Sequence, residues 1–383
     1  MISKRPFALL LALFMVASSV IGTSFIAQAA GPKCEAVDGD YIVTFAKNAG
    51  VDREIKSAPG RAIAAKFTYK NALNGFAATL SAEQVCAFQK RPNIESIELD
   101  GLMSIENTQP SAPWGLDRID SRAPSALKDN SYTYSTTGSG ITAYVIDTGI
   151  QSSHLDFAGA VTTGFSSIAD GRGTEDCSGH GTHVAGTIGG TVYGVAKDVA
   201  LVPVRVLDCS GSGSISGVIA GVDYVRGITA GSAGISVANM SLGGGASTAL
   251  DTAVNNLISS GVTVVVAAGN SRADACKSSP ARVPAAITVA ASDTNDNFAS
   301  FSNRGKCIDI IAPGVAITSA WLNGGVNTIN GTSMAAPHVA GAIARYLQSR
   351  SNATQLLNDS APNAIKSVPR GTANKFLFVA PAK

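Results

Sequence analysis

After Trp114, short runs of almost unbroken apolar residues alternate with segments of helical periodicity, and this alternation constrains the fold more than any other feature. The runs are Ile141 to Ile146, Leu201 to Leu207, Ile235 to Leu242, Val262 to Val266, and Ala286 to Ala290. A strand with one wet face alternates apolar and polar residues, whereas a run that is apolar throughout is expected of a strand covered on both faces. Between the runs, Ile215, Val218, Ile219, Val222 and Val225 recur at helix spacing, as do Leu250, Val254, Leu257 and Ile258. Strand, helix, strand, helix predicts an α/β fold with a mostly parallel central sheet and helices on both faces. In such sheets ligands bind beyond the carboxyl ends of the strands.

The residues before Trp114 have a different character. Lys4 and Arg5, the apolar stretch from Phe7 to Val20, and Ala27-Gln28-Ala29 read as an export signal over 1–29, cleaved after the small residues. Residues 30 to about 106 form a section of mixed charge. It has strand patterns at Tyr41 to Phe45 and Ile94 to Leu99 and a short helix pattern at Ala82 to Gln89. Asn107 to Pro113 is polar and contains proline, which reads as a linker before a third section, 107–383. The six cysteines, none in a CxxC pair, suit disulfides in an oxidising compartment. A net charge of +2 gives no field that would draw in nucleic acid or an anionic membrane. The processed chain is expected to be a secreted monomer.

Four polar positions interrupt this apolar pattern where a site would lie. Asp147 ends the run Ala143-Tyr144-Val145-Ile146. A carboxylate there is poorly hydrated and needs a partner to stay charged, although taken alone an Asp before Thr-Gly reads equally as a turn residue. His180 lies in Gly179-His180-Gly181-Thr182-His183-Val184-Ala185-Gly186, which holds two of the chain's four histidines. No third His or Cys at helical spacing accompanies them, which disfavours zinc. A lone imidazole is the base a serine nucleophile needs. Ser333 lies in Gly331-Thr332-Ser333-Met334-Ala335-Ala336-Pro337-His338, followed by Val339, Ile343 and Leu347 every fourth residue. It therefore sits at a helix start, where free N–H groups and the helix dipole favour a developing oxyanion. Asn270 ends Val264-Val265-Val266-Ala267-Ala268-Gly269-Asn270 and could lend an amide donor to the same oxyanion.

In this order, Asp147, His180 within GHGTHVAG, Asn270 after AAG and Ser333 within GTSMAAPH resemble the subtilisin superfamily, and within it the proteinase K branch and its aqualysin-like bacterial members. The resemblance extends to Tyr69-Lys70-Asn71-Ala72-Leu73-Asn74-Gly75-Phe76-Ala77-Ala78, which looks like the core of the family's inhibitory propeptide. It also takes in Ala112-Pro113-Trp114-Gly115-Leu116-Asp117-Arg118-Ile119, similar to the start of the mature enzymes, and thins after about Ser349.

The resemblance implies a subtilisin-like three-layer fold preceded by a small α+β propeptide domain, and a broad-specificity serine endopeptidase made as a precursor. It implies Ser333 as nucleophile, His180 as base and then acid, Asp147 as the group that orients His180, and Asn270 with the Ser333 N–H as oxyanion donors. His183 would be structural. Gly211-Ser212-Gly213 and Ser241-Leu242-Gly243-Gly244 would flank a bound peptide. Ala267, Ala268 and Gly269 would line an uncharged primary pocket, favouring a neutral or apolar side chain before the cut. Cys177 would pair with Cys209, and Cys276 with Cys307. Cys34 and Cys86 lie outside the family's pattern. Calcium is the implied structural metal, on Pro284, Ala286 and Asp309, with a second site on Asp117, Asp120 and Asp129. No catalytic cofactor is implied. The stretch Asp100 to Glu106 would lie in the cleft as a product-like strand, with cleavage near Glu106–Asn107. Two rival classes remain. A binding protein on the same fold could lack activity, and reagents that label a reactive serine separate it from an enzyme. An α/β-hydrolase esterase would need another residue order and a GxSxG elbow, which Ser333 lacks.

Overall fold

The computed structural model describes residue 34 and residues 36–60, 62–100, 107–122, 129–230 and 235–379. The signal segment and the stretch 101–106 expected in the cleft lie outside the described residues. Backbone contacts divide the chain into two compact units, Met1–Asp100 and Gly101–Lys383.

In the first unit β1 (Gly39–Phe45), α1 (Val51–Lys56), β2 (Ala65–Tyr69), β3 (Gly75–Leu80), α2 (Ala82–Gln89) and β4 (Ile94–Leu99) follow in order. The strands form an antiparallel sheet ordered β2-β3-β1-β4. The helix over 82–89 forms where its pattern predicts and has a local reason to start there. Ser81 accepts from the Gln84 N–H at 3.2 Å, and the Gln84 side chain accepts from the Ser81 N–H at 3.0 Å. Tyr41, Val43, Phe45, Phe76 and Phe88 are buried in this unit's own core. Cys34 and Cys86 are disulfide-bonded within it.

The second unit begins with β5 (Asn107–Pro110), α3 (Trp114–Ile119) and β6 (Ser131–Tyr134), followed by β7 (Thr142–Asp147), β8 (Phe165–Ser166), α4 (His180–Gly189), β9 (Ala200–Arg205), α5 (Ile215–Ile228) and β10 (Ser236–Met240). Then come β11 (Gly244–Gly245), α6 (Thr248–Ser259), β12 (Thr263–Ala267), β13 (Ser278–Ser279), β14 (Ile287–Ser292), β15 (Ile310–Pro313), β16 (Ile317–Ala320) and β17 (Val326–Ile329). The last elements are α7 (Thr332–Gln348), α8 (Ala353–Asp359), β18 (Ala361–Pro362) and β19 (Lys375–Phe376). Nine strands form one sheet ordered β18-β19-β15-β14-β12-β10-β7-β9-β8, in which only the β18–β19 pair is antiparallel.

Each apolar run is explained by burial on both faces. Val145, Val237, Val265 and Val289 join the core under α4 and α7. Their neighbours Tyr144, Ile146, Ala238, Val264 and Val266 join the core under α5 and α6. The period of two along a strand therefore divides one apolar run between two cores.

The linker expected at 107–113 is in part a strand. Asn107 to Pro110 pair antiparallel with β6, since backbone groups make a ladder whatever the side chains are. Cys177–Cys209 and Cys276–Cys307 are disulfide-bonded, as the resemblance implies. No described helix is long and apolar enough to cross a membrane.

Candidate active site

The site residues come from the carboxyl ends of three neighbouring strands, β7, β10 and β12, and from the starts of α4 and α7. Asp147 is the last residue of β7 and is fully buried. Its Oδ1 accepts from the Thr148 N–H at 2.7 Å and from His180 Nδ1 at 2.7 Å, while Oδ2 has no hydrogen-bond partner among the described residues. With its Nδ1–H held by Asp147, His180 keeps a lone pair on Nε2. Burial alone would push the His180 pKa down. The charge and hydrogen bond of Asp147, with a smaller contribution from Asp176, outweigh this and leave it raised above the ordinary 6.5.

His180 is placed by the chain before it. Gly179 takes φ +94°, and a Cβ there would come within 2.4 Å of the Trp321 ring. Asp176, nine-tenths buried, accepts from the Ser178 and Gly179 N–H groups, from the Thr182 N–H and hydroxyl, and from the Thr148 hydroxyl at 2.9 Å. Thr148 Oγ1 in turn accepts from the Gly181 N–H at 2.8 Å. The loop holding Asp147 and the helix start holding His180 are thus braced against each other. Sequence reasoning missed Asp176, whose available signal was an Asp six residues before Thr182 at a helix start. His183 is a buried structural imidazole with Nε2 on the Ile317 carbonyl at 3.0 Å, and burial lowers its pKa to about 4.

Ser333 is the second residue of α7. Its hydroxyl donates to the Ser241 carbonyl at 3.1 Å, and the Ser241 hydroxyl donates to the Ser333 carbonyl at 2.7 Å. Pro337 explains the second bond. It lies beyond the first turn, where its missing N–H would have bonded the carbonyl four residues back, that of Ser333. The freed carbonyl is satisfied by Ser241, itself positioned by Asn239 Nδ2 at 2.9 Å. Asn270 Oδ1 accepts from both the N–H and the hydroxyl of Thr332 at 2.9 Å, which leaves its Nδ2 as the outward donor.

Segments 242–245 and 267–270, with Thr332 and Ser333, line a cleft of about 380 Å³ that has no charged residue among the described residues of its walls. Leu242, Gly243, Gly244, Ala267, Ala268 and Gly269 all reach it. Residues 211–213 and 243–245 are all exposed. Gly244 pairs with Ser279 in the short β11–β13 ladder. Gly211 and Ser212 are closed into a turn by Asp208, whose carbonyl accepts from the Gly211 N–H and whose carboxylate accepts from the Ser212 N–H. Of Gly211, Ser212 and Gly213, only Gly213 keeps its backbone out of that turn.

The two implied metal sites differ. Asp309 stands beside Thr288, two residues beyond Ala286. One of its oxygens accepts from the Thr288 N–H at 2.8 Å, and burial raises its pKa. A half-engaged carboxylate whose burial outweighs the opposing charge of Lys375, next to the turn holding Pro284 and Ala286, is an oxygen donor set that fits calcium. Asp117, Asp120 and Asp129 lie close enough to act on one another's charge. Asp117 Oδ1 accepts from the Asp129 N–H, whereas Asp120 Oδ2 turns to the Thr133 N–H at 2.7 Å. Burial, and to a smaller extent the charges of Asp117 and Asp129, raise Asp120 to about 6. Among the described residues the one group of three acidic or sulfur ligands within 4.8 Å is Asp170, Cys177 and Cys209, and its cysteines are disulfide-bonded.

Residues 138–378 match the model of the subtilase family, and residues 40–106 match that of peptidase inhibitor I9. The chain is 49% identical over 374 residues to an extracellular serine proteinase of Thermus sp. (strain Rt41A), covering 90% of each. It is 41% identical over 360 residues to a cuticle-degrading protease of Metarhizium anisopliae, covering 91% of each. The crystal structure of a cold adapted subtilisin-like serine proteinase superposes with a TM-score of 0.67 at 52% identity, over 70% of this chain and 98% of that one. The chain belongs to the subtilase family of serine endopeptidases. An I9-type propeptide precedes the catalytic unit.

Proposed function

We propose that the chain is a secreted endopeptidase of broad specificity that cuts peptide bonds through Asp147, His180 and Ser333 and an acyl-enzyme. The observation that carries this is the His180–Asp147 hydrogen bond, which commits the imidazole to the tautomer with a basic Nε2. Ser333 Oγ rotates from the Ser241 carbonyl, attacks the scissile carbonyl carbon and passes its proton to His180 Nε2. Asn270 Nδ2 and the Ser333 N–H hold the oxyanion. His180 returns the proton to the leaving nitrogen as the C–N bond breaks, and water then releases the acyl group by the same steps. The uncharged cleft beside Ser333 accepts a neutral or apolar side chain before the cut. A sulfonyl fluoride is expected to label one serine, Ser333, and the labelling should fall away at pH values low enough to protonate His180. Labelling that is absent, or that ignores pH, would favour an inactive binding protein.

In this reading residues 1–29 direct export, 30–106 inhibit the enzyme and assist its folding, and 107–383 are the peptidase. Sheets with many non-local contacts fold slowly, and a separate domain can stabilise the late states. Denatured residues 107–383 should regain activity poorly alone, and far better with residues 30–106 added as a separate chain that then inhibits. Equal yields and no inhibition would remove both roles.

Pro284, Ala286 and Asp309 would hold calcium, which would add to the charge of Lys375 in offsetting the burial of the carboxylate. Chelation should lower the temperature of thermal inactivation while leaving Ser333 labelling intact at low temperature. An unchanged inactivation rate would exclude the site.

A further inference from the structure

The loop leaving β12 must turn sharply to bring Asn270 beside Ser333, and one residue outside the catalytic set shapes that turn. We propose that Asn303 is the positioning residue for the oxyanion donor and acts through loop 268–273. This rests on the reading of Asn270 as that donor.

Asn303 is 2% exposed and makes four hydrogen bonds to the loop. Its backbone N–H donates to the Gly269 carbonyl at 2.8 Å, and its Nδ2 donates to the Ala268 carbonyl at 2.8 Å. Its Oδ1 accepts from the Ser271 N–H at 3.0 Å and from the Ala273 N–H at 2.9 Å. These bonds fall on residues on either side of Asn270 and none falls on Asn270 itself. Gly269 takes φ +97°, and a Cβ there would lie 2.5 Å from Asn303 Nδ2, so the glycine lets the clamp close. Asn270 is then held at its far end by Thr332, through Oδ1. Thr332 also accepts from the Gly269 N–H at 3.0 Å, so Asn303 holds the loop backbone on both sides of Asn270, Thr332 shares that hold at Gly269, and, among the described residues, Thr332 alone takes the side-chain oxygen.

A short side-chain amide is the chemistry this position requires. It offers one oxygen able to accept two N–H groups and a nitrogen able to donate to a carbonyl. A carboxylate keeps the first function and sets an oxygen against the Ala268 carbonyl. A hydroxyl is too short to span both. The rest of the loop does not depend on this side chain. Arg272 N–H donates to Phe301 O, Arg304 N–H to Ala273 O, and the Cys276–Cys307 disulfide joins the same two segments. A change at Asn303 should therefore shift Asn270 more than it unfolds the region. Oxyanion donors work only when aimed within tenths of an ångström, so such a shift acts on the transition state.

The test compares wild type, Asn303→Asp, Asn303→Ser, Asn270→Ala and the double variant Asn303→Asp/Asn270→Ala, each made as the full precursor. The readouts are turnover of a peptide p-nitroanilide and inhibition by a peptide boronic acid, which mimics the tetrahedral state. Asn303→Asp is expected to lower kcat roughly 10- to 100-fold, with KM within about threefold and boronate affinity falling with kcat. On the Asn270→Ala background it should cost less than about twofold more, because the group it positions is gone. An unchanged kcat, or the same loss with and without Asn270, overturns the proposal. If Asn270→Ala alone leaves kcat intact, the oxyanion reading falls instead. Should neither Asn303 variant accumulate as folded protein, Gly269→Ala presses on the same amide from the other side. Full kcat in that variant would equally overturn the proposal.

Discussion

Ser333→Ala is expected to reduce kcat by roughly a millionfold, a magnitude measured on subtilisin, a member of this family, and not obtained from this chain. The structure explains why no neighbour can take over. Ser241 carries the hydroxyl paired with Ser333, yet its proton is committed to the Ser333 carbonyl and its oxygen accepts from Asn239. The variant should also accumulate as an uncut precursor. Mass spectrometry of the product from a host without other secreted proteases decides the matter, and normal processing there would remove Ser333 from the mechanism.

Asp147→Asn should lower kcat by roughly ten-thousandfold, as loss of the triad carboxylate does in serine proteases generally. An amide at this position either donates toward His180 Nδ1 and forces the wrong tautomer, or accepts without the charge that stabilises the imidazolium. The pH dependence carries a second signature. Asp147 raises the His180 pKa, and catalysis needs the neutral base, so wild-type activity climbs with pH through that raised value. Without the carboxylate, burial prevails and the acid limb should move to lower pH while its plateau falls. A profile of kcat/KM against pH reads both effects, and an acid limb that stays in place would dissociate Asp147 from His180.

What could be read in the sequence was whatever rests on local pattern or on a residue's own chemistry. The run Ala143 to Ile146 marks β7 because burial on both faces leaves no polar position to confuse it, and the helix pattern at Ala82 to Gln89 marks α2. Features that depend on a distant partner were not legible. Ile310-Ile311-Ala312-Pro313 is too short to stand out, yet it is a fully buried strand between β14 and β19. Asn107 to Pro110 has the composition of a linker and becomes a strand only because β6 lies alongside. Pro337 reads as a tolerated proline near a helix start. Its effect, freeing the Ser333 carbonyl for Ser241, involves a residue 92 positions away. Asp117, Asp120 and Asp129 look alike as letters, and their backbone partners, the Asp129 N–H for Asp117 and the Thr133 N–H for Asp120, are set by the fold.

The three disulfides join Cys34 to Cys86, Cys177 to Cys209 and Cys276 to Cys307. Each therefore closes on one side of the proposed cut near Glu106–Asn107, and no covalent link survives across it. While the chain is whole, its inhibitor is present at the effective concentration of a tethered partner, in the millimolar range for short flexible links. After one cleavage that concentration falls to whatever the surrounding fluid provides. Release from inhibition then becomes a matter of dilution. The same number of molecules would be held in check in a confined volume and set free in a large one, so under the proposed processing the moment of export into open medium would also set when the enzyme begins to cut.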